Sequence, residues 1–183
     1  MAEILLLSRS PASGKTTVAG LLSERYDRVA HIDADAVRRL RNAGLAPPLR
    51  QDPEPARQHR LAVLNAGALA RNFIEDEVGV VIEDIVLPAS LNLYLDELTP
   101  SRVRIHFVRL MPSLESCHAR NRMRDDERVR PAWLDSVYRA VAKASDFAGV
   151  AIDSTHQTPL ETADRLQALT TRGESVIWPS HAA

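Results

Sequence analysis

Among the stretches that read as strands, three are or contain unbroken apolar runs: Ile4-Leu5-Leu6-Leu7, Val80-Val81-Ile82 and Val150-Ala151-Ile152. A strand with one wet face alternates apolar and polar residues, so an unbroken run needs cover on both faces. Val29 to Ile32 and Val103 to Leu110 read as two further strands, with the run around Val80 extending over Gly79 to Ile85. Helical patterns fall between the strands. Lys15 to Arg25 carries Val18, Leu21 and Leu22 on one side, and Ala36 to Arg41 is a short helix. Arg57 to Glu77 is a long amphipathic helix with Leu61, Leu64, Ala68 and Phe73. Ser113 to about Arg124 and Ala132 to Phe147 are helical, and Thr158-Pro159-Leu160-Glu161 opens the last helix with a capping box and proline at its first position. Strands alternating with helices imply βαβ units and a parallel sheet covered on both faces, an α/β fold. The stretch Gly44 to Pro55 carries Pro47, Pro48, Pro53 and Pro55, which exclude a regular helix or central strand there. The tail from Glu174 shows no clear pattern.

Composition narrows the class of partner. Of 183 residues 45% are hydrophobic and 26% charged, which excludes a disordered or collagen-like chain and suits one domain with a real core. The net charge of −1 gives no overall basic field for nucleic acid or an anionic membrane. The one cysteine, Cys117, excludes an internal disulfide and a cysteine-built zinc site, and reads as a small buried apolar residue. No apolar run approaches the ~20 residues that span a bilayer, and Met1 to Leu7 lacks a basic start, so the expected location is the cytoplasm.

Pro11-Ala12-Ser13-Gly14-Lys15-Thr16-Thr17 follows a buried strand and opens a helix, the context of a Walker A loop. There, backbone N–H groups converge on phosphate oxygens and the helix N-terminus adds its positive end. Gly14 lets the backbone approach a phosphate, Lys15 reaches the β- and γ-phosphates, and Thr16 offers its hydroxyl to Mg²⁺. The 23 basic residues are 21 arginines and two lysines, and one of those lysines is Lys15. The pattern departs from G-x-x-x-x-G-K-[ST] at one point: its first glycine falls on Arg9.

With Ile32-Asp33-Ala34-Asp35 downstream, the segment Ser10 to Thr17 resembles the small P-loop kinases, among them shikimate and gluconate kinases, chloramphenicol phosphotransferases and zeta-toxin-like kinases. The order of elements extends the resemblance over nearly the whole chain. It implies a three-layer αβα P-loop NTPase fold, with a five-stranded parallel sheet and a short lid at about 118–131. An acceptor-binding region follows at about 36–76. It implies ATP and Mg²⁺ as cofactors and a small-molecule hydroxyl as phosphoryl acceptor.

By that resemblance Asp33 helps hold Mg²⁺, while Asp35 orients, and can deprotonate, the acceptor hydroxyl. Asp35 also suits the N-cap of the helix after it. Strand Gly79 to Ile85 ends in Glu83-Asp84, and side-chain alternation lets only one of them face the loop; resemblance favours Asp84 as metal ligand. Residues 118–131 hold Arg120, Arg122, Arg124, Arg128 and Arg130 among three acids. Arg120 and Arg124, at i, i+4, share a helix face and close from the lid onto phosphates, while Arg122 points elsewhere and pairs with Asp125 or Asp126. Thr155 lies where related kinases set a loop beside adenine. Arg57, His59, Arg60 and Arg71 reach toward an acceptor over the sheet or form a solvated face. His31, His106 and His118 show no metal-ligand spacing, and Trp133 and Trp178 read as packing residues. The expected function is ATP- and Mg²⁺-dependent phosphorylation of a small-molecule hydroxyl. The rivals are a kinase of nucleotides or nucleic-acid ends and a nucleotide-binding switch that transfers nothing.

Overall fold

The computed structural model describes residues 2–9, 11–47, 52–124, 128–143 and 148–179. Ser10, Pro48, Asp125, Asp126, Phe147 and the last four residues lie outside these ranges, as does the side chain of Arg9. The expected pairing of Arg122 and the end of the helix at Phe147 fall there too.

Strand β1 (Ile4–Arg9) lies at the centre of the sheet. Helix α1 (Lys15–Ser23) leads to β2 (Val29–Asp33), then α2 (Ala34–Arg39) and α3 (Glu54–Glu75) lead to β3 (Gly79–Asp84). Helix α4 (Pro88–Leu98) and a 3-10 turn (Thr99–Ser101) precede β4 (Ile105–Leu110). The chain continues through α5 (Leu114–Arg122), α6 (Pro131–Lys143), β5 (Val150–Ile152), α7 (Pro159–Thr171) and β6 (Val176–Trp178). The strand order is β2-β3-β1-β4-β5, all parallel, as the unbroken apolar runs require. The connections run from β1 outward past β3, and later cross back to β4, so the switch in direction falls at β1, after which the loop 11–14 leads into α1.

Side chains of β1 divide by parity between two cores. Ile4 and Leu6 pack with α3 and α4, through Val63, Ala66, Leu91 and Tyr94; Leu5 and Leu7 pack with α1 and α7, through Val18, Leu22, Ala163 and Leu166. A third cluster joins the loop to α5 and α6: Ala12 packs with Cys117 and Leu134, and Cys117 is fully buried as expected. The capping box of α7 forms as expected: Glu161 N–H donates to Thr158 Oγ1 (3.2 Å) and Thr158 N–H donates to the Glu161 carboxylate (2.8 Å).

Two elements exceed the expectation. The segment before β4 folds as α4, with Pro88 in its first turn and Ser90 Oγ accepting from Leu87 N–H (2.9 Å). The tail forms β6, antiparallel to the first half of β4 (Ile105 opposite Trp178), while β5 pairs with the second half. Trp178 packs on the α3–α4 core. The long helix presents a different face from the one expected. Ala62, Val63, Ala66, Gly67, Ala70 and Ile74 are buried, whereas Leu61 and Phe73 are 51% and 39% exposed. Small residues let α3 lie close to its neighbours: a Cβ on Gly67 would come within 2.9 Å of Glu97 Cβ on α4. Among the described residues, no helix is long and apolar enough to cross a membrane.

Candidate active site

The loop between β1 and α1 is bent by two left-handed residues, Ala12 (φ 60°) and Gly14 (φ 89°), on either side of Ser13. Alternating handedness turns successive N–H groups into one concavity that binds anions. Gly14 is the N-cap residue of α1, and no side chain caps that helix. The first amides of α1 are thus left for another acceptor. Pro11, Ala12 and Ser13 are buried, and Thr17 is exposed in the first turn.

Lys15 is 5% exposed. Its Nζ lies 3.4 Å from Glu83 Oε1 and 3.4 Å from Thr16 Oγ1, and Thr16 Oγ1 donates to Glu83 Oε1 at 3.0 Å. Glu83 is fully buried, and its other oxygen, Oε2, accepts no hydrogen bond, with His31 Nε2 3.4 Å away. A buried carboxylate oxygen left open beside a P-loop hydroxyl suits the water shell of Mg²⁺, an ion that keeps several waters and takes few protein ligands. Among the described residues no group of three or more His, Cys, Asp or Glu could hold a metal ion by itself.

The strand pleat reverses one expectation. Glu83 shares the side of Val81, toward α1, while Asp84 shares the side of Ile82, toward α3 and α4. Glu83, not Asp84, therefore stands beside Lys15 and Thr16. Asp84 instead bonds His59 Nε2 (3.0 Å) and the Tyr94 hydroxyl (3.1 Å), and its Oδ1 accepts from Ile85 N–H (2.7 Å).

Asp33 ends β2 opposite Glu83, and its Oδ1 caps α2 by accepting from Asp35 N–H (2.8 Å). The cap is thus Asp33 rather than Asp35, because the helix starts two residues earlier than expected. Asp35 is exposed in the first turn of α2, where Arg38 Nε (3.2 Å) and Arg39 Nη1 (2.9 Å) donate to it. Arg38 also donates to Ala46 O (3.2 Å), and the buried Gln58 holds the same loop through Ala46 N–H and Gly44 O.

Arg120 lies across the phosphate loop: Nη1 donates to Ser13 O and Nη2 to Ser154 O, each at 3.0 Å. The loop after β5 is in turn fixed by Thr155, whose Oγ1 accepts from Ser113 N–H (2.8 Å) and donates to Asp153 (2.5 Å). The hydrogen bonds from Thr155 hold the Asp153 carboxyl below the usual range. Arg124 does not share a face with Arg120, because α5 ends at Arg122 and Met123 is its C-cap. Arg71 serves neither site; it ties α3 to α4 through Glu97.

His59 is the residue whose part the sequence hid. Nothing near it in the chain marks it out, since its partner Asp84 is 25 residues away. Burial alone would lower its pKa, but the hydrogen bond and charge of Asp84 outweigh that and raise it above the ordinary histidine value. Burial, then the charge of Asp84, push the Tyr94 phenol well above its usual range.

Comparison with solved structures identifies the fold. The chain superposes on a sugar kinase from Janibacter sp. (TM-score 0.71, 18% identity, covering 93% of this chain and 94% of that one). It also matches the tunicamycin resistance protein of Deinococcus radiodurans (0.66, 18%, 98% and 100%) and shikimate kinase from Aquifex aeolicus (0.61, 16%, 93% and 97%). No protein-family profile and no curated protein sequence matches. The fold is that of the small P-loop kinases.

Proposed function

We propose that this protein is a kinase that moves the γ-phosphoryl group of ATP to a hydroxyl of a small molecule, with Mg²⁺. One observation carries the reading: Lys15, Thr16 and the buried carboxylate of Glu83 converge at a helix N-terminus that no side chain caps. The amides of residues 12–17 cradle the β- and γ-phosphates, and Lys15 exchanges its contact with Glu83 for phosphate oxygens as charge spreads in the transition state. Thr16, with Glu83 and Asp33, would hold Mg²⁺, which would supply positive charge against the phosphates. Arg120, already on the phosphate loop, adds positive charge, and Arg124 extends the basic lid. Thr155 sets the loop beside the base of the nucleotide. Asp35 orients the acceptor at the ends of β2 and β3, where open parallel sheets bind ligands.

The sugar kinase and shikimate kinase among the structural neighbours support a phosphotransferase, and their names point to different acceptors on one fold. Labelled ATP supplies the test. Transfer of label to an added hydroxyl compound, reduced about 10²–10³-fold in Lys15→Ala, is the expected result. Tight nucleotide binding without transfer to any acceptor would make the chain a switch instead.

A further inference from the structure

The reading above leaves one built group unused. His59 on α3, Asp84 at the end of β3 and Tyr94 on α4 form a bonded chain on the face of the sheet opposite Glu83. Asp84 is 7% exposed and fixed from three sides, by His59, Tyr94 and Ile85 N–H. A carboxylate only accepts, so His59 Nε2 must be the donor, which leaves the lone pair of the neutral ring on Nδ1. Among the described residues Nδ1 has no hydrogen-bond partner, and the side chain is 36% exposed. Asp35, expected to orient the acceptor, and Arg38, both of α2, act on its charge, and Asp33, expected to help hold Mg²⁺, acts on Tyr94.

We propose that His59, oriented by Asp84 and Tyr94, is the general base that takes the acceptor's hydroxyl proton. This rests on the kinase reading and divides its labour: Asp35, bound by two guanidinium groups, orients the acceptor, and His59 removes the proton. In the step, neutral Nδ1 takes the proton of the acceptor O–H, and the electron pair of that bond forms the new O–P bond to the γ-phosphorus. The bond from the γ-phosphorus to the bridging oxygen breaks, and ADP leaves with its electron pair. The proton passes from Nδ1 to water. Asp84 stabilises the imidazolium between these events, and is a positioning residue.

Two measurements test this: binding of Mg²⁺ with a non-hydrolysable ATP analogue, and turnover of Mg·ATP with water, D-gluconate or shikimate as hydroxyl donor. His59→Gln is expected to bind the analogue like the wild type and turn over roughly 10²-fold more slowly with KM for ATP little changed. The wild-type rate should rise with pH through one ionisation above the ordinary histidine value. Asp84→Asn should move that midpoint down; if it fails to fold, Tyr94→Phe, which removes a donor competing for the Asp84 carboxylate, should move it up. Analogue binding with equal turnover in wild type and His59→Gln, including no turnover in either, overturns the role of His59 and leaves nucleotide binding standing. Absence of analogue binding in the wild type overturns the kinase reading and this inference with it.

Discussion

Glu83 decides much at the scale of single residues. It is a buried carboxylate whose charged partner is the buried Lys15, so removing it leaves an uncompensated cation. Glu83→Ala should destabilise the nucleotide-free protein by about 3 kcal/mol, read as a lower urea midpoint, and added Mg·nucleotide should recover part of the loss because phosphate takes up Lys15. An unchanged midpoint would show that the pair is not buried as described. Two histidines give pH dependence of opposite sign. His106 is buried, with Nε2 2.9 Å from Glu3 and Nδ1 2.9 Å from Ser175 Oγ. Burial lowers its pKa despite Glu3. Its contribution is therefore full above about 6.5, the unfolded value, and is lost as pH falls through the folded one. His59, with its raised pKa, contributes fully below about 6.5 and loses that contribution as pH rises through its folded value. Unfolding midpoints across pH should lose their acid-side slope in His106→Gln and part of their alkaline-side slope in His59→Gln.

Whole elements carry the geometry between these residues, and here the sequence was unevenly legible. Strands β1 and β3 were plain because both faces are covered and their apolar runs are unbroken; β5 was plain from its apolar run, although Ala151 is exposed. The buried face of α3 was not, because its contacts are made by alanine and glycine, whose burial leaves no large apolar stripe, while Leu61 and Phe73 mark the outer side. The choice between Glu83 and Asp84 turned on pleat parity, which a pattern of two adjacent acids cannot give. The pairing of His59 with Asp84 is a contact between elements and has no local signature. Gly149 shows how tightly the edge is set: a Cβ there would lie 2.3 Å from Phe107 O, at φ +88°. Gly149→Ala should cost about 2 kcal/mol or more, lowering the melting temperature, and should loosen β5 and the loop 153–155 that Arg120 ties to the phosphate loop. A melting temperature equal to wild type would contradict that packing.

For the molecule as a whole, the sheet separates two half-sites. Toward α1 lie the phosphate loop, Lys15 and Glu83; toward α3 and α4 lie Asp84, His59 and Tyr94, with α2 bringing Asp35 to the edge between them. The proposed transfer uses this division, since a nucleotide and an acceptor would have to meet in line over the ends of β1 and β3. The central claim is that the amides around Gly14 and the ammonium of Lys15 hold a triphosphate. Calorimetric titration with Mg²⁺ and a non-hydrolysable ATP analogue tests it most directly. One site per chain, weakened by roughly 10²-fold in Lys15→Ala, an amount within reach of losing a charged hydrogen bond, is the predicted result. Equal affinity in the two proteins, or none in the wild type, would contradict the account.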